Sequence, residues 1–298
     1  MKIAKTIPSI IKSKASDVLG QDADNQQSTD VDFRNFKWDN LDPTKKESHR
    51  ILRDLVLRNG VWFRPDILKA LSHLAPFAIR DPSCRKSYNK LYELWAIPRF
   101  DGYLSDDNSL IKNWVKGVPV LYQGSGIDLK GLQSGFTACH LWRGKLGDVA
   151  LNMHPHIYSC VANLIWLPTG ISRLTDQDDS YVQTLIQAIS LHLFGQFRGV
   201  NQQIDRFFRD MDLERTRRNM EKFEIGKLEN LIPNYFLPSG EKFQRHHAKI
   251  QLFLDAALAN SDISELRPRR YFGNLPTINW QLRINFFDFL TQHRLMTE

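Results

Sequence analysis

Apolar residues recur at helical spacing along much of this chain of 298 residues. Residues 51–56 show the spacing clearly, and Asn59-Gly60 follows them as a helix stop signal. Four later stretches are also predicted to be helical, at residues 178–194, 204–225, 243–258 and 280–295. The pattern therefore predicts an α+β fold that is predominantly α-helical, with a small embedded β-hairpin and a C-terminal half that is almost entirely helix.

Two short apolar runs interrupt the helical pattern near the middle of the chain. The first runs from Phe136 to Trp142 and contains Cys139-His140, and the second opens on Asn163 and ends at Pro168. The interval between them is rich in Gly, Asp and Asn, which are typical of turns. We therefore expect two strands joined by a turn-rich loop and followed by an amphipathic helix.

The composition divides the chain into four regions. Residues 1–30 end in an almost wholly polar stretch, which predicts a flexible N-terminal segment. Residues 31–122 are predicted to be a helical N-terminal region, and residues 123–200 hold the two apolar runs and their helix. Residues 201–298 are predicted to be a helical C-terminal region.

Charge and cysteine content narrow the class of protein. Lys and Arg number 40 against 33 Asp and Glu, and this modest basic excess suits a polyanionic partner without requiring one. Cys84, Cys139 and Cys160 are widely spaced, which argues against a four-cysteine structural zinc site or a secreted disulfide framework and for a reducing compartment. No apolar run approaches the ~20 residues of a membrane span. We therefore expect a cytoplasmic protein without a membrane partner.

The order of residues from 136 to 194 resembles the ββα-metal (HNH) endonuclease motif. In that family the first strand carries a general-base His, and an Asn opening the second strand pins the loop between them. The resemblance implies that His140 is the base and Asn163 the orienting residue, in a fold containing an embedded ββα-metal module. It also implies hydrolysis of DNA phosphodiester bonds with a divalent ion, Mg²⁺ or Mn²⁺. A lone His between apolar residues is also typical of a satisfied core histidine, and this alternative stays open.

The places at which the family holds its metal ion carry unusual residues here. The family supplies ligands from the residue before the base and from the helix, and this chain has Cys139 and Ser172 there. Cys is a soft ligand and Ser a weak one, so both suit Mg²⁺ poorly. Either the ion is held by other residues or the site is degenerate and does not cut. Asp176 is the preferred substitute ligand, and the further candidates are Asp148, His154 and His156.

Basic side chains are the candidate DNA contacts, because Arg and Lys pair with phosphate oxygens. The candidates are Arg143, Lys145, Arg173, Arg267, Arg269 and Arg270, and the segment Arg215 to Arg218 is a further one.

Three functions stay open. The first is an HNH-like endonuclease serving restriction or anti-phage defence, with DNA as its partner. The second is a catalytically degenerate helical interaction or regulatory protein, with a protein partner or a second copy of the chain. The third is a winged-helix-type DNA binder in residues 45–122.

Overall fold

The computed structural model describes helices and short strands over most of the middle of the chain. The described residues are 46–69, 72–75, 78–80, 104–106, 108–122, 126–128, 131–132, 135–146, 149–237, 245 and 248. Within them the helices are α1 (Lys46–Asn59), α2 (Ser109–Val115), α3 (Thr169–Ser172), α4 (Tyr181–Phe194), α5 (Gln202–Arg209) and α6 (Leu213–Lys222). The strands are β1 (Val61–Phe63), β2 (Ala78–Arg80), β3 (Leu104–Asp106), β4 (Val120–Tyr122), β5 (Gly126–Asp128), β6 (Phe136–His140), β7 (Lys145–Leu146), β8 (Val149–Ala150), β9 (Leu164–Pro168) and β10 (Asn234–Phe236). The predicted flexible segment 1–30 lies outside these ranges.

Six of the strands form one mixed sheet in the order β5-β4-β10-β1-β9-β6. β1 pairs parallel with β10, and the other neighbouring pairs are antiparallel. Strands from the N-terminal, central and C-terminal regions therefore share one sheet. The prediction of a predominantly α-helical fold with one small embedded hairpin is wrong, because the described part is a mixed structure of helices and a six-stranded sheet.

Short, fully buried strands explain this error. All three residues of β1 and all five residues of β9 are buried. A strand that is buried on both faces has a continuous apolar run without the alternation that marks a half-exposed strand. β10 has only three residues and lies within the C-terminal region that was predicted to be helical.

The helices around the sheet differ from their predicted bounds where a cap residue intervenes. α4 begins at Tyr181, and Ser180 is its N-cap because the Ser180 hydroxyl accepts a hydrogen bond from the Gln183 N–H at 3.2 Å. The single helix predicted over 204–225 is two helices, and the Asp212 carboxylate caps α6.

Apolar packing between α4 and the sheet forms much of the core. Leu185, Ile186 and Ile189 of α4 are fully buried, as are Leu164 and Trp166 of β9. Because α4 is apolar around most of its circumference, both the sheet and the neighbouring helices cover it. None of the helices in the described ranges combines the length and the apolar composition needed to cross a bilayer.

Candidate functional site

The two central strands and the helices after them come together in the order that the sequence predicts. β6 and β9 pair antiparallel from Phe136 opposite Pro168 to His140 opposite Leu164. α3 begins directly after β9 and packs against both strands. From α4 the side-chain amide of Gln187 donates to the Leu141 carbonyl at 2.9 Å. The Ser190 hydroxyl of α4 donates to the Ala162 carbonyl at 2.7 Å, so the loop of residues 141–163 starts and ends beside α4.

Asn163 ties the two ends of this loop together. Its side chain is fully buried, and Oδ1 accepts a hydrogen bond from the Trp142 N–H at 2.8 Å. Its Nδ2 donates to the Ile157 carbonyl at 2.9 Å, and its own carbonyl accepts from the Leu141 N–H at 3.0 Å. The side chain thus makes the local contacts expected of a residue that pins the loop.

His140 is a neutral, buried imidazole at the end of β6. The residue is 2% exposed, and Nε2 lies 2.9 Å from the Tyr158 carbonyl oxygen. A carbonyl oxygen can only accept, so this contact assigns the proton to Nε2 and leaves the lone pair on Nδ1. Burial, helped by the positive charges of Arg80 and Arg143, lowers the pKa of His140 to about 3.

A second buried network holds the partner of His140 in place. The Tyr158 ring stacks on the imidazole with centroids 5.1 Å apart, and its hydroxyl donates to the Asp106 carboxylate at 2.7 Å. The Asn108 N–H in turn donates to the Tyr158 hydroxyl at 3.0 Å. Burial and the Asp106 charge raise the pKa of Tyr158 well above its ordinary value. Sequence reasoning missed this network, since Asp106 and Tyr158 stand 52 positions apart and belong to no motif.

Cys139 points to a different environment from His140, as consecutive strand residues do. Burial raises the pKa of the Cys139 thiol to about 11, and the Thr175 side chain contacts the sulfur. The thiol also lies 3.6 Å from the Thr137 carbonyl. Cys139 is therefore a protonated core thiol at neutral pH, whereas a metal ligand has to be a thiolate.

The other two predicted metal ligands are engaged in contacts of their own. The Ser172 hydroxyl donates to the Thr169 carbonyl at 2.9 Å. The Asp176 carboxylate lies 2.8 Å from Nη1 of Arg143. With a protonated thiol and a neutral hydroxyl at the family's ligand places, and a substitute carboxylate that is paired with Arg143, the predicted ligands do not fit Mg²⁺ or Mn²⁺.

The histidines of the loop also have protein partners. His154 Nε2 lies 3.7 Å from the Asp210 carboxylate, while His156 contacts Gln203 through Nδ1 and Arg206 through Nε2. Both side chains thus face α5 and the residue that follows it. Asp148 lies outside the described residues. Within the described ranges, no group of three or more His, Cys, Asp or Glu side chains is arranged to hold a metal ion.

The candidate DNA contacts near the hairpin are partly exposed. Arg143 has 23% of its side chain exposed, whereas Lys145 and Arg173 are exposed residues. Arg143, Lys145 and Arg215 line a cleft of about 210 Å³ together with Arg209 and four aspartates, so its charge is mixed. Arg215 is paired with Asp179. Arg267, Arg269 and Arg270 lie outside the described residues.

Comparison of the chain with models of protein families, with curated proteins and with solved structures finds no match. The likeness to the HNH motif therefore depends on the residues of the motif, and the function has to be argued from the contacts around His140 and Asn163.

Alkylation tests the state assigned to the buried cysteines. Burial raises the pKa of Cys139 to about 11 and that of Cys160 to about 12. We expect both to resist iodoacetamide in the folded protein at about pH 8, because the thiolate is the reactive form and less than about 1% of either thiol is ionised. Peptide mass spectrometry measures the labelling, and protein unfolded in urea is the positive control. Rapid labelling of Cys139 before unfolding would show an accessible thiolate instead.

Proposed function

We propose that this protein is an HNH-like endonuclease that hydrolyses DNA phosphodiester bonds. The observation that carries the proposal is the placement of His140 at the end of β6, with Asn163 closing the loop and α3 packed behind the hairpin. This order of strand, loop, strand and helix supports the resemblance of the motif. It supplies the elements on which such an enzyme presents its general base.

The hydrogen bonding of His140 supports the role of general base. A base needs a neutral ring with a free lone pair, and the bond from Nε2–H to the Tyr158 carbonyl leaves Nδ1 as the accepting nitrogen. Burial keeps the pKa of His140 at about 3 in this conformation, so in this proposal Nδ1 takes a proton from water only after the site opens to solvent on DNA binding. The Tyr158 carbonyl then stays paired with Nε2–H and stabilises the imidazolium. The hydroxide then attacks phosphorus, the bond from phosphorus to the 3′ or 5′ oxygen breaks, and that oxygen takes a proton from solvent.

Basic residues of the same module supply the DNA contacts in this proposal. Arg143 and Lys145 follow His140 in the chain, and Arg173 lies on the turn after α3. Their positive charges suit the phosphate backbone. In this proposal the endonuclease serves restriction or anti-phage defence, and the two buried free thiols of the described residues fit a reducing compartment such as the cytoplasm.

A second candidate function is an interaction or regulatory protein that keeps the hairpin and helices without cutting DNA. One observation favours it: the predicted ligands Cys139, Ser172 and Asp176 are a protonated thiol, a hydroxyl bonded to the backbone and a paired carboxylate. In this case His140 is a satisfied core histidine, and the partner is another protein or a second copy of the chain.

Plasmid cleavage separates the two candidates. Supercoiled DNA is incubated with the protein in Mg²⁺, in Mn²⁺ and in EDTA, and nicked and linear products are quantified. We expect the wild type to cut and His140→Ala to lose at least about 100-fold of the rate, because a general base contributes 10²–10⁴-fold. His192→Ala is the matched control, since His192 is exposed on α4. If the wild type cuts in none of the three conditions, the endonuclease proposal fails and the second candidate stands.

A further inference from the structure

The space between β6 and the turn after α3 is filled by protein side chains. Thr175 is fully buried there, and its hydroxyl donates to the Ser172 carbonyl at 2.7 Å while its side chain contacts the Cys139 thiol. The three predicted ligands also have protein partners. Cys139 lies beside the Thr137 carbonyl, Ser172 donates to the Thr169 carbonyl, and Asp176 pairs with Arg143. A metal ion at this place would have to displace these contacts.

The charges at this place also disfavour a divalent cation. Asp176 is the one carboxylate among Cys139, Ser172 and Asp176; its side chain is 64% exposed, and its Oδ1 lies 2.8 Å from Nη1 of Arg143. Mg²⁺ and Mn²⁺ prefer several hard oxygen ligands, of which carboxylates are the strongest. A place that offers one carboxylate, already paired with a guanidinium, gives such an ion little stabilisation in exchange for its hydration shell.

Arg143 has protein partners on two sides. Its Nε donates to the His140 carbonyl at 3.3 Å, and Nη1 contacts the Asp176 carboxylate. A guanidinium has five N–H donors, so three of them remain for another acceptor. The side chain is 23% exposed and lines the cleft beside the loop, so these donors can reach a ligand. Guanidinium groups bind phosphate oxygens with matched geometry.

We infer that the Arg143 guanidinium, and not a divalent ion, is the cation of this site, and that it binds a phosphate of the DNA backbone. The inference deepens the proposed function and rests on it for the identity of the anion. Asp176 is then a positioning residue that orients Arg143. The charge that the family obtains from its metal ion comes here from a side chain that stands three positions after the proposed base.

Manganese binding tests the first half of the inference. Electron paramagnetic resonance counts the free Mn²⁺ in the presence of the full-length wild-type protein and of Asp176→Asn. We expect no saturable site at millimolar Mn²⁺ in either protein. A site of one ion per chain that Asp176→Asn abolishes would overturn the inference.

DNA binding in EDTA tests the second half without any cleavage. A short duplex is titrated by fluorescence anisotropy against the wild type, Arg143→Ala and Arg143→Lys. We expect Arg143→Ala to bind about 10-fold more weakly and with a salt slope smaller by about one, because one phosphate contact is lost. Arg143→Lys keeps the charge and should recover most of the slope. Arg198→Ala, at an exposed position after α4 that is not among the candidate DNA contacts, is the matched control.

The outcomes separate this inference from the proposed function. Arg143→Ala that binds DNA with the affinity and salt slope of the wild type overturns the inference, and so does cleavage that requires Mg²⁺ bound through Asp176. Loss of DNA affinity in Arg143→Ala supports it even if the plasmid assay finds no cutting, a result that would remove the endonuclease proposal alone. Circular dichroism of each variant confirms that the fold is retained.

Discussion

Replacing Asn163 with Ala should lower the free energy of unfolding by about 3–5 kcal/mol. The substitution leaves the Trp142 N–H and the Ile157 carbonyl buried without their side-chain partner, and an unpaired buried polar group costs about 1–3 kcal/mol. A small cavity in a fully buried position adds to the loss. Urea denaturation followed by tryptophan fluorescence measures the change.

Two further variants make this result specific to the loop tie. Asn163→Asp keeps an oxygen for the Trp142 N–H but places a second acceptor against the Ile157 carbonyl, so it should also destabilise the protein. Asn230→Ala lies on an exposed loop and should change stability by less than about 0.5 kcal/mol. An Asn163→Ala protein as stable as the wild type would mean that the loop of residues 141–163 is held by other contacts.

Local signals in the sequence predict those parts of the structure that depend on neighbouring residues. α1 ends at Asn59 as the Asn-Gly stop predicts, and a Cβ on Gly60 would lie 2.7 Å from the Val56 carbonyl oxygen, so the glycine is required there. The pairing of β6 with β9 follows from two apolar runs that stand close in the chain. Asn163 was named because the resemblance to the HNH motif places the loop-pinning Asn at the start of the second apolar run.

Contacts between distant parts of the chain are not encoded in any local pattern. β1 pairs with β10 across more than half of the chain, and each of these strands has three residues, too few to show a period. The same limit applies to the site. The bond between Tyr158 and Asp106 and the pairing of Arg143 with Asp176 join residues that share no motif. Sequence reasoning could therefore name the candidate base and metal ligands, but it could not foresee that the Arg143 guanidinium pairs with the Asp176 carboxylate.

Acidification should destabilise the protein through its buried histidines. Burial lowers the pKa of His140 to about 3, below the ordinary 6.5, so the unfolded chain takes up a proton that the folded chain refuses. The contribution of the neutral ring to the free energy of unfolding is at its full value above about pH 6.5. It decreases by about 1.4 kcal/mol per pH unit as the pH falls toward 3. Between about pH 6.5 and pH 4 the loss from His140 is about 3 kcal/mol. His156, whose pKa burial also lowers to about 3, acts in the same direction.

The variant His140→Gln isolates the contribution of this one ring. Glutamine keeps an N–H donor for the Tyr158 carbonyl but does not titrate. As the pH falls, the free energy of unfolding of the variant should therefore decrease less steeply than that of the wild type, by about 1.4 kcal/mol per pH unit, the slope that corresponds to one proton. Urea denaturation at a series of pH values measures both slopes. His192→Gln, at an exposed position of α4, should keep the wild-type slope. Parallel curves for the wild type and His140→Gln would mean that His140 is protonated as readily in the folded protein as in the unfolded chain. This result would contradict the burial of the ring and the neutral tautomer assigned to it.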